Sequence, residues 1–415
     1  MKFNNDENDI VAVCATRTPF GKFDGLLKSI LSFDLAIPVL KELVHRTKVD
    51  PINVDEVYYG TCIPAEYAIY TNVPARQITL GAGFPDSSIS LTIDRACCSS
   101  MTALRLCYQS IRSGNSDIAI ALGAENMGNV PLIAPAEKAR WGSRLGHIPL
   151  EDVLFELGYG RRGFAPVATD AGYVALEYGI SREEQDEWAL MSHKKWAAAY
   201  NAGKFKVGEE IHPLNLPEKK GSNILFERDE SPREDTTIEK LASLKPVYGS
   251  PTVTAGNAPG LNSGASGILV MTRKKAEMKG LPILFTIEAV QAAAGTPKYM
   301  ACVPAQAIEK MLGKLAEKMD ISIDDVDLIE INEAFAAVTL VSLKMLAKND
   351  MKRYEVIKAK TNVNGGAIAI GHPVGASGAR IVMTLAYELK RRGGGLGVAA
   401  ICGGLSQGEA ILIRV

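Results

Sequence analysis

The sequence predicts an α/β fold in which two similar halves build parallel sheets and a long polar excursion separates them. Three observations support this prediction. Helix and strand patterns alternate near both ends of the chain, the two ends match each other, and the middle has a different composition. At 415 residues the chain is also too long for one compact core, so two or three domains are expected.

Alternating helix and strand patterns occur near both termini. In the N-terminal part, we predict a helix at Asp34–Thr47, a strand at Val54–Gly60, a helix at Met101–Ser113 and a strand at Asp117–Gly123. In the C-terminal part, we predict a helix at Ala305–Met319, a strand at Val326–Ile331, a helix at Ala376–Arg392 and a strand at Gly397–Cys402. Strands that alternate with helices favour parallel sheets with helical crossovers.

The two ends of the chain also match each other. The segment VDEVYYG at 54–60 aligns with VDLIEIN at 326–332. The helix that ends before Gly114 aligns in the same way with the helix that ends before Gly393. A unit that recurs in this way indicates two halves of similar structure.

The middle of the chain follows another pattern. A polar helix begins at the capping box Ser181-Arg-Glu-Glu184 and runs to about Ala202, among loops rich in Gly, Pro and charge such as Pro217–Thr237. This composition indicates an excursion over a ligand cleft. The predicted division is 1–123 with 251–275 as the N-terminal half, 124–250 as a loop domain, and 276–415 as the C-terminal half.

Charge and cysteine usage exclude several classes of function. The 46 basic and 47 acidic residues give no electrostatic footprint for nucleic acid or an anionic membrane. The acidic start is unlike a secretory signal, and the apolar runs are too short to span a bilayer. The seven cysteines show no CxxC pairs, so we predict no metal site, reduced thiols and a cytoplasmic location.

Four segments contain the residues suited to chemistry. Cys97 precedes a helix, where the helix dipole is expected to favour the thiolate. Asn332 follows a strand, and His372 lies in the glycine-rich loop GGAIAIGHPVGASGAR. Cys402, followed by Gly403 and Gly404, ends another strand. The carboxyl ends of parallel strands are where α/β sheets build their sites.

In this order and spacing, the four segments resemble the signature blocks of the thiolase superfamily. The resemblance covers nearly the whole chain, because TVTAGNAPG at 252–260 and YGISREEQD at 178–186 are also similar to the family. It implies two repeated βαβαβαββ halves in a five-layered α-β-α-β-α arrangement, with an inserted loop domain over the coenzyme A site. It also implies acyl transfer between coenzyme A thioesters, with coenzyme A as co-substrate and no permanently bound cofactor.

The resemblance assigns a role to each of these side chains. Cys97 matches the acylated cysteine, and His372 would take its proton and support the thioester oxyanion. Asn332 matches an asparagine that holds a water in that oxyanion hole. Cys402 matches the second cysteine, the general base at the substrate α-carbon and the general acid in reverse. The backbone amides of Cys97 and Gly404 would form the other oxyanion hole.

Other positions bear on the choice of substrate. Arg233 matches an arginine that meets the nucleotide end of coenzyme A, and its alternative is a solvated surface arginine. Pro259 replaces a serine that contacts pantetheine in many short-chain members, and Pro166-Val167 replaces a His-Met pair that lines their acyl pocket. Asp94 replaces an asparagine upstream of the nucleophile. These departures leave the acyl chain length open.

Several neighbouring residues have plainer interpretations. Cys98 is expected to be a small packing residue and Cys107 a core residue, while Glu333 is expected to support the loop around it. The histidines outside the motif are expected to be solvated or locally bonded; these are His45, His147, His193 and His212.

The leading hypothesis is a thiolase that condenses two acetyl-CoA to acetoacetyl-CoA plus CoA, or catalyses the reverse thiolysis. One alternative is a degradative thiolase for longer or branched 3-oxoacyl-CoA. Another is a catalytically silent, acyl-CoA-binding subunit, although all catalytic residues are present. A ketoacyl carrier-protein synthase is disfavoured because Cys402 is retained. The resemblance further implies a homodimer or homotetramer.

Overall fold

The computed structural model describes residues 3–141, 144–155, 163–217 and 221–415. The strands within these residues are β1 (Ile10–Arg17), β2 (Gly21–Lys22), β3 (Glu56–Gly60), β4 (Ile89–Ile93), β5 (Ile118–Asn126), β6 (Leu214–Pro217), β7 (Asn223–Phe226), β8 (Asn262–Thr272), β9 (Phe285–Ala294), β10 (Leu328–Ile331), β11 (Leu396–Gly403) and β12 (Gln407–Arg414). The helices are α1 (Ser32–Thr47), α2 (Pro74–Gly81), α3 (Ser99–Arg112), α4 (Ala136–Ala139), α5 (Val167–Glu177), α6 (Arg182–Asn201), α7 (Ile238–Ala242), α8 (Arg273–Met278), α9 (Val303–Ala316), α10 (Ala336–Leu346), α11 (Met351–Ala359), α12 (Ala367–Ile370) and α13 (Ser377–Arg391).

The strand order confirms that the fold is a repeat of one unit. In the N-terminal half the order is β4-β3-β5-β8-β1, with β3 parallel to both neighbours and β8 antiparallel to both of its own. In the C-terminal half the order is β10-β11-β12-β9, with β10 parallel to β11 and β12 antiparallel to both neighbours. An isolated parallel bridge from Ile329 to Thr361 stands where the other half has β4. Strands β1 and β9 pair at two positions and join the halves.

Side-chain alternation along the strands separates the helical layers. In β5, Ile120 packs with the outer helix α1, whereas Ala121 packs with α3 and α13 between the halves. In β11, Ala399 faces the same central helices, and Ala400 faces the outer helices α9 and α10. Both faces of β5 and of β11 are therefore buried, which gives continuous apolar runs and the five-layered arrangement.

The first residues of the central helices correct the alignment of the repeat. Helix α3 begins at Ser99 and α13 begins at Ser377, so these two serines correspond. The alignment of the glycines that follow the helices, Gly114 and Gly393, instead matches Ser99 with Gly378. Helix α13 is 15 residues long and α3 is 14, so the glycine after α13 is displaced by one position.

Element boundaries shift modestly from the predicted ones. Helix α3 begins at Ser99, ahead of the predicted start at Met101. Strand β5 continues from the predicted Gly123 to Asn126, because these residues keep pairing with β8 down to Ser263. The capping box is confirmed: the Ser181 hydroxyl accepts from the Glu184 N–H, and the Glu184 carboxylate accepts from the Ser181 N–H. No helix in the described ranges is long and apolar enough to cross a membrane.

The polar middle segment is tied to the core by buried ion pairs. Arg17 lies at the end of β1 and is fully buried. Its Nε donates to Glu210 at 2.9 Å, and its Nη1 donates to Asp229 at 2.7 Å. Breaking a buried pair of this kind leaves an uncompensated charge, so these contacts fix the segment onto the sheet.

Candidate active site

A tight turn presents Cys97 after the end of strand β4. The Asp94 carboxylate accepts from the Ala96 N–H at 2.9 Å, and Ala96 has a positive φ of 51°. A non-glycine residue in this region is strained, and such strain clusters at functional sites. Helix α3 begins at Ser99, so the Cys97 thiol lies beside the first turn of the helix.

Burial controls the ionisation of Cys97. Its pKa is raised well above the usual value, chiefly by desolvation and further by nearby Cys402, Cys98 and Glu125. The expectation that the helix start favours the thiolate is therefore wrong for the resting site, because desolvation outweighs the favourable backbone contribution. The resting residue is a neutral thiol that needs a base.

His372 lies in the loop between α12 and α13. Gly371 before it has a φ of 111°, and the His372 N–H donates to Asn262 Oδ1 at 2.8 Å. The ring Nδ1 is 2.6 Å from Ser377 Oγ, whereas Nε2 is buried without a partner among the described residues. Burial and the nearby Arg380 guanidinium lower the His372 pKa to about 3, so the resting ring is neutral.

Cys402 lies near the end of β11 and is buried. Desolvation raises its pKa to about 12, so it also rests as a neutral thiol. The next residue, Gly403, has no room for a side chain, because a Cβ there would lie 2.8 Å from both Arg95 O and Cys98 Sγ. Cys98 is fully buried at this contact, which confirms that it packs the core.

One cavity of about 290 Å³ brings the three reactive side chains together. Cys97, His372 and Cys402 all line it, and Gly403 and Gly404 lie beside them. One apolar wall is formed by Met127, Leu154, Leu261 and Val374. The other wall is formed by Val167, Val247, Ala258, Met300, Ala334 and Phe335. The apolar lining lowers the local dielectric, which strengthens electrostatic interactions inside the cavity.

Asn332 lies behind His372 and is not among the residues lining the cavity. It follows β10 and is fully buried. Its Nδ2 is 3.5 Å from His372 Nδ1, and its Oδ1 accepts from Arg380 Nη2 at 3.3 Å. The structure thus brings Asn332 to the histidine, and its predicted role in holding a water stays a prediction.

Glu333 supports the loops around the site, as predicted. Its fully buried carboxylate accepts from Trp188 Nε1 at 3.0 Å, Ser192 Oγ at 2.8 Å, Asn362 Nδ2 at 2.9 Å and the Ile368 N–H at 3.1 Å. Four donors hold this carboxylate in place, so it joins the middle segment to the C-terminal half.

Arg233 lies outside the reactive cavity. It lines a neighbouring polar cavity of about 340 Å³, together with Lys22 and His193. The two cavities share four lining residues, which are Ala255, Ala258, Gly260 and Leu261. Arg233 is exposed, and its backbone N–H donates to His193 Nδ1 at 3.2 Å. The arginine is therefore at the mouth of the site, away from the cysteines.

The sequence reasoning missed two residues that shape the site. His193 is buried beside Arg233, and desolvation lowers its pKa to about 4. Glu125 is buried with a pKa raised to about 8 by desolvation, and its carboxylate accepts from the N–H groups of Cys62, Ile63 and Gly375. Neither residue belongs to a local motif, so their roles became visible only from the tertiary contacts.

The arrangement is suited to acyl transfer followed by proton transfer at carbon. A neutral imidazole with a free Nε2 faces the same cavity as two thiols, so it can accept a proton from a sulfur nucleophile. No group of three or more metal-ligating side chains occurs in the part of the chain that the structure describes.

The chain is similar to known proteins in both sequence and structure. The family model "Thiolase, N-terminal domain" matches residues 10–274, and "Thiolase, C-terminal domain" matches residues 281–415. An acetyl-CoA acetyltransferase of Pseudomonas aeruginosa is 39% identical over 407 residues, covering 98% of this chain and 99% of its own. A probable acetyl-CoA acetyltransferase of Mycolicibacterium smegmatis is 40% identical over 409 residues, covering 97% and 99%.

Two solved structures illustrate the likeness of the folds. The Bacillus anthracis acetyl-CoA acetyltransferase is 39% identical, with a TM-score of 0.89 over 99% of this chain and 100% of its own. Human mitochondrial 3-ketoacyl-CoA thiolase in complex with CoA is 36% identical, with a TM-score of 0.88 over 98% of each chain.

Proposed function

Because the chain belongs to the thiolase family of acyltransferases, we propose that it condenses two acetyl-CoA to acetoacetyl-CoA plus CoA, or catalyses the reverse thiolysis. The observation that supports this proposal best is the shared cavity of Cys97, His372 and Cys402. A nucleophilic thiol, its base and a second acid–base group are the side chains that a two-step acyl transfer with carbon–carbon bond chemistry requires.

The first half-reaction acylates Cys97. His372 Nε2 takes the thiol proton, the Cys97 sulfur attacks the thioester carbon of acetyl-CoA, and a tetrahedral oxyanion forms. The bond from that carbon to the CoA sulfur then breaks. The departing sulfur takes a proton from Cys402, which leaves acetyl-Cys97, the Cys402 thiolate and a protonated His372, and CoA is released as its thiol.

The second half-reaction forms the carbon–carbon bond. The Cys402 thiolate takes a proton from the α-carbon of a second acetyl-CoA, and this carbon attacks the acetyl group on Cys97. The bond from the acetyl carbon to Cys97 breaks, and the Cys97 sulfur takes its proton from His372. Acetoacetyl-CoA leaves and both thiols return to the neutral form, the form that burial favours at rest.

We assign the oxyanion contacts by the same reasoning. The protonated Nε2 of His372, with a water held by Asn332, would donate to the thioester oxygen of the CoA ester whose α-carbon loses its proton. The N–H groups of Cys97 and Gly404 would donate to the acetyl oxygen when a tetrahedral oxyanion forms at Cys97. The position of Gly404 on the cavity wall, directly after β11, supports this assignment.

Coenzyme A would enter through the connected cavities, under the loop domain at 124–250. Its slender pantetheine arm suits the apolar cavity. Its charged nucleotide end suits the polar cavity, where exposed Arg233 and Lys22 supply positive charge. Pro259 lies between the cavities and cannot donate a hydrogen bond, so the arm would depend on shape at that position.

A thiolase for longer or branched 3-oxoacyl-CoA is the second candidate. Pro166 and Val167 line the cavity, and valine is smaller than the methionine that the family resemblance places there. A smaller side chain at this position of the lining favours a larger acyl group. A panel of acyl-CoA and 3-oxoacyl-CoA esters decides the question: activity confined to C4 substrates excludes this candidate, and Val167→Met should narrow a broader range towards C4.

We also propose that the protein is a cytoplasmic homodimer or homotetramer in which two chains pair along β4. This strand ends the sheet, and its Ile89 and Leu91 side chains are 62% and 51% exposed. An apolar edge strand of this kind is a template for pairing with a second chain. All seven cysteines are free thiols, as expected in a reducing compartment. Sedimentation of wild type and Leu91→Lys tests the interface: a smaller assembly in Leu91→Lys supports it, and a monomeric wild type or an unchanged assembly in Leu91→Lys contradicts it.

Alkylation and two cysteine variants test the enzyme itself. Iodoacetamide should label Cys97, with protection by acetyl-CoA, and Cys97→Ala should lose all activity. Cys402→Ala should still exchange acyl groups with CoA, because CoA can leave as a thiolate without that proton, while its condensation rate falls by about 10³-fold. Full activity of Cys97→Ala would show the proposal to be wrong. A wild type that bound acyl-CoA without turning it over would instead favour a silent subunit.

A further inference from the structure

The buried hydroxyl of Ser377 has two hydrogen-bond partners. It lies at the start of α13, with its Oγ 2.6 Å from His372 Nδ1 and 2.9 Å from the Pro373 carbonyl oxygen. A serine hydroxyl has one proton, so it can donate to only one of the two. If the proton goes to Pro373, the oxygen must accept from a protonated Nδ1.

The other group near Nδ1 cannot take the place of Ser377. Asn332 Nδ2 is 3.5 Å away, and Arg380 holds this amide by donating to its Oδ1. An amide nitrogen only donates, so it cannot accept the Nδ1 proton, and 3.5 Å is too long for a strong bond that would keep Nδ1 unprotonated. Among the described residues, Ser377 is therefore the hydrogen-bond acceptor within reach of the Nδ1 proton.

In the N-terminal half of the core, the corresponding serine makes the same pair of hydrogen bonds, and there the donor and the acceptor are known. Ser377 corresponds to Ser99, because each is the first residue of its central helix. The Ser99 hydroxyl accepts from the Arg95 N–H at 2.8 Å and donates to the Ala96 carbonyl at 2.7 Å. A backbone N–H can only donate, so the oxygen of Ser99 accepts on one side and donates to a carbonyl on the other.

We propose that Ser377 is a positioning residue that accepts the Nδ1 proton of His372, donates its own to Pro373, and so keeps Nε2 unprotonated towards Cys97. The expected effect on kcat rests on the proposed function, whereas the tautomer of His372 does not depend on it. The reverse orientation, with the hydroxyl donating to Nδ1, would place the ring proton on Nε2. The ring would then have no lone pair facing the cavity.

The same bond assists the proton transfer. Burial and Arg380 disfavour a protonated His372. When Nε2 takes the Cys97 proton, the Nδ1–H to Oγ bond becomes charge-assisted and stronger, which partly offsets that penalty. Without Ser377 the ring would be both a weaker base and free to adopt the other tautomer.

Kinetics of three serine variants test the role. For Ser377→Ala we expect kcat to fall by at least about 10-fold with little change in KM, and Ser377→Thr, which keeps a hydroxyl, should recover part of the loss. The pH profile of Cys97 alkylation should change in Ser377→Ala and stay unchanged in Ser342→Ala. Ser342 is a matched control, because it is a buried helical serine whose Oγ donates to Ala301 O at 3.0 Å.

Nitrogen NMR of 15N-histidine-labelled enzyme observes the tautomer directly, with His372→Asn identifying the signal. We expect protonated Nδ1 and unprotonated Nε2 in wild type, and a mixture of tautomers in Ser377→Ala. A protonated Nε2 in the resting wild type would overturn the proposal, as would an unchanged kcat and alkylation profile in folded Ser377→Ala. The tautomer is measured without turnover. Failure of the proposed function would be recognised separately, because the wild-type enzyme would then be inactive.

Discussion

The loops before α3 and α13 occupy corresponding positions in the two halves but present different chemistry. Both helices begin with a serine that ties down the preceding loop, Ser99 in one and Ser377 in the other. Ser99 binds only backbone groups of its own half and supports the strained turn at Cys97, whereas Ser377 binds the side chain of His372. One scaffold thus positions a thiol in one half and an imidazole in the other.

The ends of β3 and β10 differ in the same asymmetric way. Gly60 and Asn332 are the last residues of the aligned segments VDEVYYG and VDLIEIN. A Cβ at Gly60 would lie 2.6 Å from backbone atoms of Ser99 and Ser100, so the start of α3 packs directly on this glycine. Asn332 has room for a side chain that reaches His372. The N-terminal half therefore supplies close backbone packing, and the C-terminal half supplies side chains.

Gly60→Asn introduces the residue that stands at the aligned position of the other half, Asn332. This substitution should have the largest effect on stability. The added atoms would collide with backbone, which cannot move without displacing α3 and Cys97. We expect a loss of about 3 kcal/mol in the free energy of unfolding, measured by denaturant titration.

Gly83→Asn is the matched control for that substitution. Gly83 has a φ of 85°, which asparagine tolerates, and a Cβ there meets no atom within 4 Å. Its free energy of unfolding should change by less than about 1 kcal/mol. Equal effects of the two substitutions would refute the packing difference between the halves.

Ser99→Ala should lower stability more than Ser377→Ala does. It leaves the Arg95 N–H without its partner and loosens the Cys97 turn, for an expected loss of about 2 kcal/mol. Thermal unfolding measures the loss, and the rate of Cys97 alkylation reports on the turn. A Ser99→Ala protein that keeps its stability, while Ser377→Ala loses more, would reverse the roles assigned to the two serines.

The sequence was sufficient to predict the repeat, the layered α/β fold and the segments that meet at the cavity. Those features depend on local patterns, such as the period of β5 and the glycines around His372. The ionisation of Cys97 was not predictable in this way, because the residues that surround its thiol, such as Cys402 and Met127, are far away in the chain. The helix dipole acts locally and was overestimated for that reason.

The positions of Asn332 and His193 also depend on how distant segments pack. Asn332 follows its strand as predicted, yet Arg380 holds its amide behind the histidine ring. His193 lies on the polar helix α6 without a motif, and only the approach of Arg233 makes it part of a cavity. Such contacts join segments that are distant in the sequence, so no local sequence pattern predicts them.

Acid should destabilise the protein partly through His372. The folded-state pKa of about 3 lies below the usual 6.5, so the unfolded chain takes up a proton on this residue in that interval while the folded protein does not. The stability contributed by the neutral ring is thus present above pH 6.5 and declines as the pH falls. Between about pH 6.5 and about pH 5, wild type should lose about 2 kcal/mol more than His372→Asn. An equal loss in the free energy of unfolding for the two proteins, measured by denaturant titration at both pH values, would contradict this.

The smallest change in stability is expected for a substitution in the outer helix α9, which corresponds to α1 in the other half. Gly313 lies exposed in the interior of α9, where α1 has Lys41 in the same alignment of the two halves, and a Cβ at Gly313 meets no atom within 4 Å. Glycine lowers helix stability because the unfolded chain has more conformational freedom to lose. Gly313→Ala should therefore stabilise the protein by up to about 1 kcal/mol without changing kcat. A stabilised but slower enzyme would instead show that motion in this outer layer, far from the cavity, contributes to turnover.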